Sequence, residues 1–326
     1  MNIFLTGATG FIGSFLAEAL VKKGHKVKCL LRRTSKLTWI ADLDIECIFG
    51  SMNDTEALNK GLDGADYVYH LAGVTKSLEK EAYFKGNMQG TQNLIDCILG
   101  KKLNLKRFLF LSSQAAAGPS PTIEPITEDS PLNPINLYGQ SKLAAEEYVK
   151  KHFKKIPTTI IRPPAVFGPR DTDILEYFKT VRYGIIPRLE GKEKYLSLIY
   201  VKDLVRGIVM AAESEATLGN IYFLAMDKPI AWEDFARLIL HSMGKKGLRL
   251  NVPIGFIKGA AFVTENIARF TGANPVLNKE RLEQMKPDFW ICSPKKARND
   301  FNFKAETTLE VAIRETYDWY KEHKWL

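Results

Sequence analysis

The chain has only four cysteines, Cys29, Cys47, Cys97 and Cys292, in 326 residues, and none forms a CxxC pair. That excludes a disulfide-stapled scaffold or a thiolate metal site and suits reduced thiols in a cytoplasmic protein. The five histidines lack ligand spacing, so no metal site is expected. No run of about eighteen apolar residues occurs, so no membrane-spanning helix is expected. There is no obvious internal repeat or low-complexity segment. Acid is in deficit, with 37 Asp+Glu against 46 Lys+Arg and a formal charge of +9. The basic residues are dispersed, and the clusters Lys245-Lys246 and Lys295-Lys296 carry no interleaved aromatics. A solvated basic surface that helps attract an anionic cofactor or small-molecule substrate is expected, and nucleic-acid binding is not.

What is present begins at the N-terminus. Asn2 to Thr6 is a short apolar run that reads as a buried strand. Gly7-Ala8-Thr9-Gly10-Phe11-Ile12-Gly13 follows, and then a helical pattern from Phe15 to Val21. A strand, a glycine-rich turn and a helix start make a pyrophosphate site. The first helical N–H groups are unpaired and lie at the positive end of the dipole, which suits an anion. Gly7 permits the tight turn, Gly10 lets the backbone approach phosphate, and Gly13 lets the helix lie close to the strand. A cleaved signal peptide could not also hold this loop, so none is expected.

With 45% hydrophobic residues, the chain can bury a sizeable core in one large or two modest domains. Strands are predicted at Val27 to Leu31, Ile45 to Phe49, Tyr67 to Leu71, Arg107 to Leu111 and Thr158 to Arg162. Helices are predicted after Asp54, which caps the first of them, from about Asn87 to Leu99, and from near Leu137. Such alternation means a doubly wound parallel α/β sheet, with the ligand cleft at the carboxyl ends of its strands. After Pro169 the rhythm breaks. Residues 171–196 and 226–326 read as helices joined by irregular loops, forming a smaller substrate lobe. Between them, Leu198 to Val201 and Ile221 to Leu224 look like short strands. The apolar stretch Pro253 to Val263 reads as lobe packing or a lining for an apolar substrate. His70 ends a strand and reads as a packed or capping histidine.

Tyr138-Gly139-Gln140-Ser141-Lys142 stands at a helix start. Four residues make about one turn, so phenol and ammonium share a face. A free phenol titrates near about pH 10. A lysine cation beside it lowers that value toward the working range and makes the tyrosine a usable acid/base. The pair follows the nucleotide loop and a strand that ends in Ser112-Ser113.

These residues, with His70-Leu71-Ala72-Gly73, Asn87-Met88-Gln89-Gly90-Thr91 and Arg162 to Pro169, resemble the extended short-chain dehydrogenase/reductase family. That family includes nucleotide-sugar epimerases, dehydratases and dihydroflavonol-reductase-like enzymes, and the resemblance covers nearly the whole chain. It implies a Rossmann-type domain over 1–170 with returning segments near 197–225, and a mostly helical lobe over about 171–196 and 226–326. It implies that Tyr138 is the acid/base, that Lys142 binds the nicotinamide ribose and tunes Tyr138, and that Ser113 hydrogen-bonds the reacting oxygen. Gly7, Thr9, Gly10, Phe11, Ile12 and Gly13 would form the phosphate turn. Leu71, Ala72 and Gly73 would line the middle of the cofactor, and Pro163 and Val166 its nicotinamide end. Asn87 has a structural or relay role. Dimerisation through the helices near Asn87 to Leu99 and Leu137 to Phe153 is implied, unless their apolar faces are covered within one subunit.

Departures from the family pattern narrow the chemistry. The acid that binds the adenosine ribose in NAD-using members is replaced by Leu31, followed by Arg32 and Arg33. Guanidinium groups grip a 2′-phosphate bidentately, so NADP is expected over NAD. Ser51 stands where an Asp often contacts adenine, and Met52 is left to pack on the base. Gln114-Ala115 replace the Asp-Glu pair of the 4,6-dehydratases, which disfavours that dehydration. Leu196 occupies the place of a diphosphate-binding arginine, for which Arg188, Lys192 and Lys194 are the available substitutes.

Three functions follow. The leading one is an NADP-dependent oxidoreductase transferring hydride between nicotinamide and a carbonyl or secondary alcohol. A sugar epimerase would use the same residues without net redox. A non-catalytic NADP(H) sensor or assembly protein stands in another class, and such proteins often lose the tyrosine or lysine that this chain keeps.

Overall fold

The computed structural model describes residues 1–77, 79–189, 193–252, 255, 259 and 279–326. Lys192 and nearly all of Pro253 to Val263 lie outside them. Seven parallel strands form the central sheet: β1 (Asn2–Thr6), β2 (Lys26–Leu31), β3 (Ile45–Phe49), β4 (Tyr67–His70), β5 (Arg107–Leu111), β6 (Thr158–Arg162) and β11 (Asn220–Phe223). Their spatial order is β3-β2-β1-β4-β5-β6-β11. The order reverses between β1 and β4, and that switch point opens a crevice at the carboxyl edge.

Burial explains the strand sequences. β5, Arg-Phe-Leu-Phe-Leu, is buried at every position because helices cover both faces of the sheet. β3 lies at an edge and is mostly uncovered. On one face α1 (Phe11–Lys22) and α8 (Val201–Glu213) seal a core around Leu16, Leu20, Leu109 and Ile208. On the other, α2 (Thr55–Leu62), α4 (Gly90–Lys101) and α6 (Leu137–Lys150) cover Phe4, Phe108, Leu94 and Val149. The apolar faces of α4 and α6 are thus covered within one subunit. Asp54 caps α2 as expected, its Oδ1 accepting from the Ala57 N–H at 3.0 Å.

The helix expected from Asn87 starts earlier. A short turn, α3 (Lys80–Tyr83), runs into a π-helical segment (Phe84–Gln89) and then α4. The later chain departs more. Alongside α7 (Asp173–Val181), α9 (Trp232–Ser242), α10 (Lys279–Met285), α11 (Lys295–Phe301) and α12 (Leu309–Glu322), it contains strands where helices and loops are expected. These are β8 (Ile185–Leu189), β9 (Tyr195–Leu196), β12 (Ile230–Ala231), β13 (Leu248–Val252) and β14 (Phe289–Trp290). They pair as β13-β8 and as β12-β9-β14, and β7 (Ala165–Phe167) pairs with β10 (Leu198–Tyr200). Strands of two to five residues joined across tens of positions leave little local periodicity. No described helix is long and apolar enough to cross a membrane.

Candidate active site

The glycine turn is sterically fixed. Gly7 has φ +83°, and a Cβ there would lie 2.7 Å from the Ala72 amide nitrogen. A Cβ on Gly13 would lie 2.0 Å from the Gly7 carbonyl oxygen. The turn therefore closes onto both α1 and the β4 exit only with glycine at these places. Gly10 is the N-cap of α1 and offers no side chain to its first N–H groups, and the first turn holds no acid. Thr9, Phe11 and Ile12 complete the turn and are only partly covered. A bare helix start with backbone donors and glycine on either side fits a dinucleotide pyrophosphate.

The Leu31 side chain is 2% exposed and belongs to the core, so that position presents nothing polar to a ribose. Arg32 and Arg33 follow at the carboxyl edge, both exposed, with the Arg33 guanidinium over the Phe49 ring at 5.8 Å. Ser51 is exposed and caps its own turn, its Oγ accepting from the Asn53 N–H. Met52 is half-buried beside Gly90, and its carbonyl accepts from Asn93 Nδ2 at 2.9 Å.

At the β4 exit the Ala72 N–H donates to Thr6 Oγ1 at 3.2 Å, which ties the Leu71-Ala72-Gly73 segment to the glycine turn. His70 is fully buried, with Nδ1 at 2.7 Å from Thr6 Oγ1 and Nε2 at 2.9 Å from Thr91 Oγ1. Burial and Lys142 push its pKa down to about 3, so it is a neutral packed histidine. Asn87 is also fully buried. Its amide grips the Val74 backbone at both ends, 2.6 and 3.0 Å, and its Nδ2 donates to Ser141 Oγ at 2.8 Å. This bonding is structural and joins the π-helical segment to α6.

Ser113 and Tyr138 come together. Ser113 caps the short helix α5 (Gln114–Ala117), its Oγ accepting from the Ala115 N–H at 3.1 Å, and its side chain neighbours the Tyr138 hydroxyl. Two residues missed in the sequence make this possible. Asn136 caps α6, its Oδ1 accepting from the Gly139 N–H at 2.8 Å. A Cβ on Gly139 would lie 2.2 Å from the Ala115 carbonyl oxygen, so only glycine lets α6 press this closely onto α5. An Asn two residues before a tyrosine at a helix start was the visible cue for the cap. Nothing local marked the Gly139 contact.

Lys142 follows Tyr138 by about one turn on α6. Its Nζ donates to the Leu111 carbonyl at 2.6 Å and lies 4.3 Å from the centre of the Phe110 ring. The groups acting on Tyr138 are burial, Ser113, Asp173 and Tyr83, and burial pushes the phenol up to about 12. Burial also pushes the Lys142 ammonium down to about 7, opposed by Glu146. The expected fall in the phenol's pKa is therefore reversed here, because loss of solvent outweighs any distant cation.

Pro163 is buried at the β6 exit, and its carbonyl accepts from the Gln114 N–H at 2.8 Å. Val166 lies on β7, half-buried against the core. Among the described residues, buried Ser112 Oγ and Gln114 Nε2, either side of Ser113, have no hydrogen-bond partner. Of the substitutes for an anion-binding arginine, Arg188 pairs with Glu233 at 3.3 Å. Lys194 is held by Asp288 and the carbonyls of Lys286 and Pro287. Leu196 is 2% exposed and serves the core.

Known proteins resemble this arrangement. The "4-hydroxy-2-methyl-3-oxo-4-farnesyl-3,4-dihydroquinoline-1-oxide ketoreductase" of Stigmatella aurantiaca is 27% identical over 274 residues, 82% of this chain and 81% of its own. A ceramide reductase of Caulobacter vibrioides is 26% identical, over 99% of this chain and 96% of its own. The crystal structure of gox2253 superposes with a TM-score of 0.81 at 27% identity, covering 99% of both chains. The NAD dependent epimerase/dehydratase family matches residues 3–225, from β1 to just past β11. That span holds the whole seven-stranded sheet and the crevice at its carboxyl edge, so the chain belongs to the NAD dependent epimerase/dehydratase family.

Proposed function

We propose that the protein is an NADP-dependent oxidoreductase acting on a carbonyl or secondary alcohol, with Tyr138 as its acid/base. The observation that carries this reading is that the strand exit after β5 and the start of α6 bring the Ser113 and Tyr138 side chains next to each other. The dinucleotide, when bound, supplies or accepts the hydride. The Gly7 to Gly13 turn would hold its pyrophosphate, Arg32 and Arg33 its 2′-phosphate, and Met52 its adenine. Leu71, Ala72 and Gly73 would line its middle, and Pro163 and Val166 its nicotinamide end.

Tyr138 Oη gives its proton to the carbonyl oxygen during reduction and takes one back during oxidation. Ser113 Oγ donates to the same oxygen and stabilises the charge that develops there. Lys142, when protonated, brings positive charge to the ribose side of Tyr138. The substrate is an apolar carbonyl compound, which the neutral Gln114 and Ala115, the core-facing Leu196 and the two reductases among the relatives support. The same reading makes the protein cytoplasmic, with a substrate lobe over about 171–196 and 226–326.

The test mixes purified protein with NADPH, or NADH, and a panel of long-chain ketones, sterol ketones and keto sugars. Loss of nicotinamide absorbance with NADPH and an apolar ketone is expected. Isomerisation of a nucleotide sugar without cofactor loss would establish the epimerase alternative, which uses the same Ser113, Tyr138 and Lys142. Tight NADPH binding with no turnover on any substrate would favour the sensor.

A further inference from the structure

The β8–β13 ribbon leaves one of its faces in solvent. Parallel pairing sets Leu248 opposite Ile185, and side chains alternate along a strand, so Leu250 shares their face. Leu248 is 83% exposed, Leu250 52% and Ile185 37%. Tyr183, in the turn that enters β8, is 70% exposed. The opposite face anchors the ribbon. Ile186 is buried in the core that includes Ile239 and Leu240 of α9, and Arg188 and Arg249 both pair with Glu233 of that helix. The ribbon therefore cannot turn its leucines inward without breaking these contacts. Single exposed leucines are common on soluble proteins, but a clustered apolar face is not.

The two segments that build this face carry charge of one sign. No acid occurs between Tyr177 and Leu189, or between His241 and Val252. Arg182 donates to the Tyr183 hydroxyl at 2.8 Å and lies over its ring at 4.9 Å. Lys245 Nζ donates to the Arg182 carbonyl at 2.7 Å, which draws the turn before β13 against the turn before β8. Lys246 beside it is exposed.

We infer that this face docks the protein on an anionic lipid bilayer. Tyr183, Leu248 and Leu250 enter the boundary between headgroups and acyl chains, and Arg182, Lys245 and Lys246 meet lipid phosphates. Charge complementarity selects this occupant. A second copy would set the same basic turns against each other on a chain that already carries +9. The inference rests on the surface alone and stands whether or not the proposed substrate is right.

The full-length protein is sedimented with vesicles of phosphatidylcholine, and with vesicles of phosphatidylcholine mixed with phosphatidylglycerol. Binding to the mixed vesicles, weakened by salt, is expected. Leu248→Glu with Leu250→Glu should weaken it by about tenfold or more. Lys245→Glu with Lys246→Glu should abolish the preference for the anionic vesicles. Both variants change exposed side chains and should keep the wild-type unfolding midpoint and turnover of a water-soluble ketone. No binding by the wild type, or equal binding by both variants, would overturn the inference. So would a drop in solution mass on Leu248→Glu with Leu250→Glu, because a second copy would then be the occupant.

Discussion

Glu146 of α6 and Arg162 of β6 form a buried two-point ion pair, Nε to Oε1 at 2.9 Å and Nη2 to Oε2 at 2.5 Å. Both side chains are essentially inaccessible. The pair locks the helix that carries Tyr138 and Lys142 to the strand that ends at Pro163. Glu146→Gln would leave the guanidinium buried and uncompensated, at a cost of about 3–5 kcal/mol. Replacing both residues by leucine or methionine should recover most of that loss. Urea unfolding of the single and double variants measures this, and a Glu146→Gln protein as stable as wild type would refute it.

Tyr138→Phe removes the proposed proton donor while leaving the ring to pack. Turnover should fall by about 10²- to 10⁴-fold. NADPH affinity, followed by nicotinamide fluorescence, should be little changed. Full turnover in this variant would remove Tyr138 from the mechanism.

Gly139→Ala places a methyl group where the Ala115 carbonyl lies 2.2 Å away. Either α6 or α5 must yield, which separates Tyr138 from Ser113. Stability should drop by about 1–3 kcal/mol as for overpacking, and kcat should fall more than KM rises, because the reacting geometry is lost. An alanine variant with wild-type kcat would show that the close approach does not set the site.

Arg32 and Arg33 are exposed and free of described ion pairs, so substitutions there should act on ligand binding without unfolding the protein. Arg32→Glu with Arg33→Ser should cost about ten- to a hundredfold in NADPH affinity, at roughly 1.5–3 kcal/mol for each charged hydrogen bond. NADH affinity should stay within a few-fold. Equal losses for both cofactors would point to a general electrostatic effect instead.

Asp171 follows the β7 strand, is buried, and caps α7 through the N–H groups of Asp173 and Ile174, each at 2.9 Å. Burial, with Asp173 nearby, pushes its carboxyl from 3.8 up to about 7. Between those values the folded state keeps a proton that the unfolded chain releases. This contribution to stability is complete below the unfolded pKa and is lost as pH rises through the folded one. Asp171→Asn does not titrate, and its single amide oxygen can accept from only one of the two N–H groups, a loss that does not vary with pH. The stability difference between wild type and variant should therefore shift against wild type as pH rises from about 4 to 7. A difference that stays flat across that range would mean that Asp171 is ionised in the folded protein throughout.

Much of the sheet was legible because its signals are local. Gly7, Gly10 and Gly13 stand between a strand and a helix, and the sheet built that way places the crevice beside them. The fully buried β5 carries four apolar residues in a row after Arg107, and β6 places β-branched residues at its first four positions, Thr158 to Ile161. Ser113 and Tyr138 were singled out together through the family resemblance, and the structure sets the two side chains next to each other. The ribbon of β8 and β13 was not legible, since its residues pair across some sixty positions and the segments that hold it read as helices joined by irregular loops.

The amino-acid order by itself determined the class of fold, because the alternation of strands and helices depends on backbone propensity and short spacing. Tertiary structure decided what individual side chains experience. Lys142 ends on the Leu111 carbonyl and Tyr138 in surroundings that hold its proton. Burial and the direction of a side chain are set by elements far apart in sequence, and these, more than spacing along one helix, fix the charge each group carries.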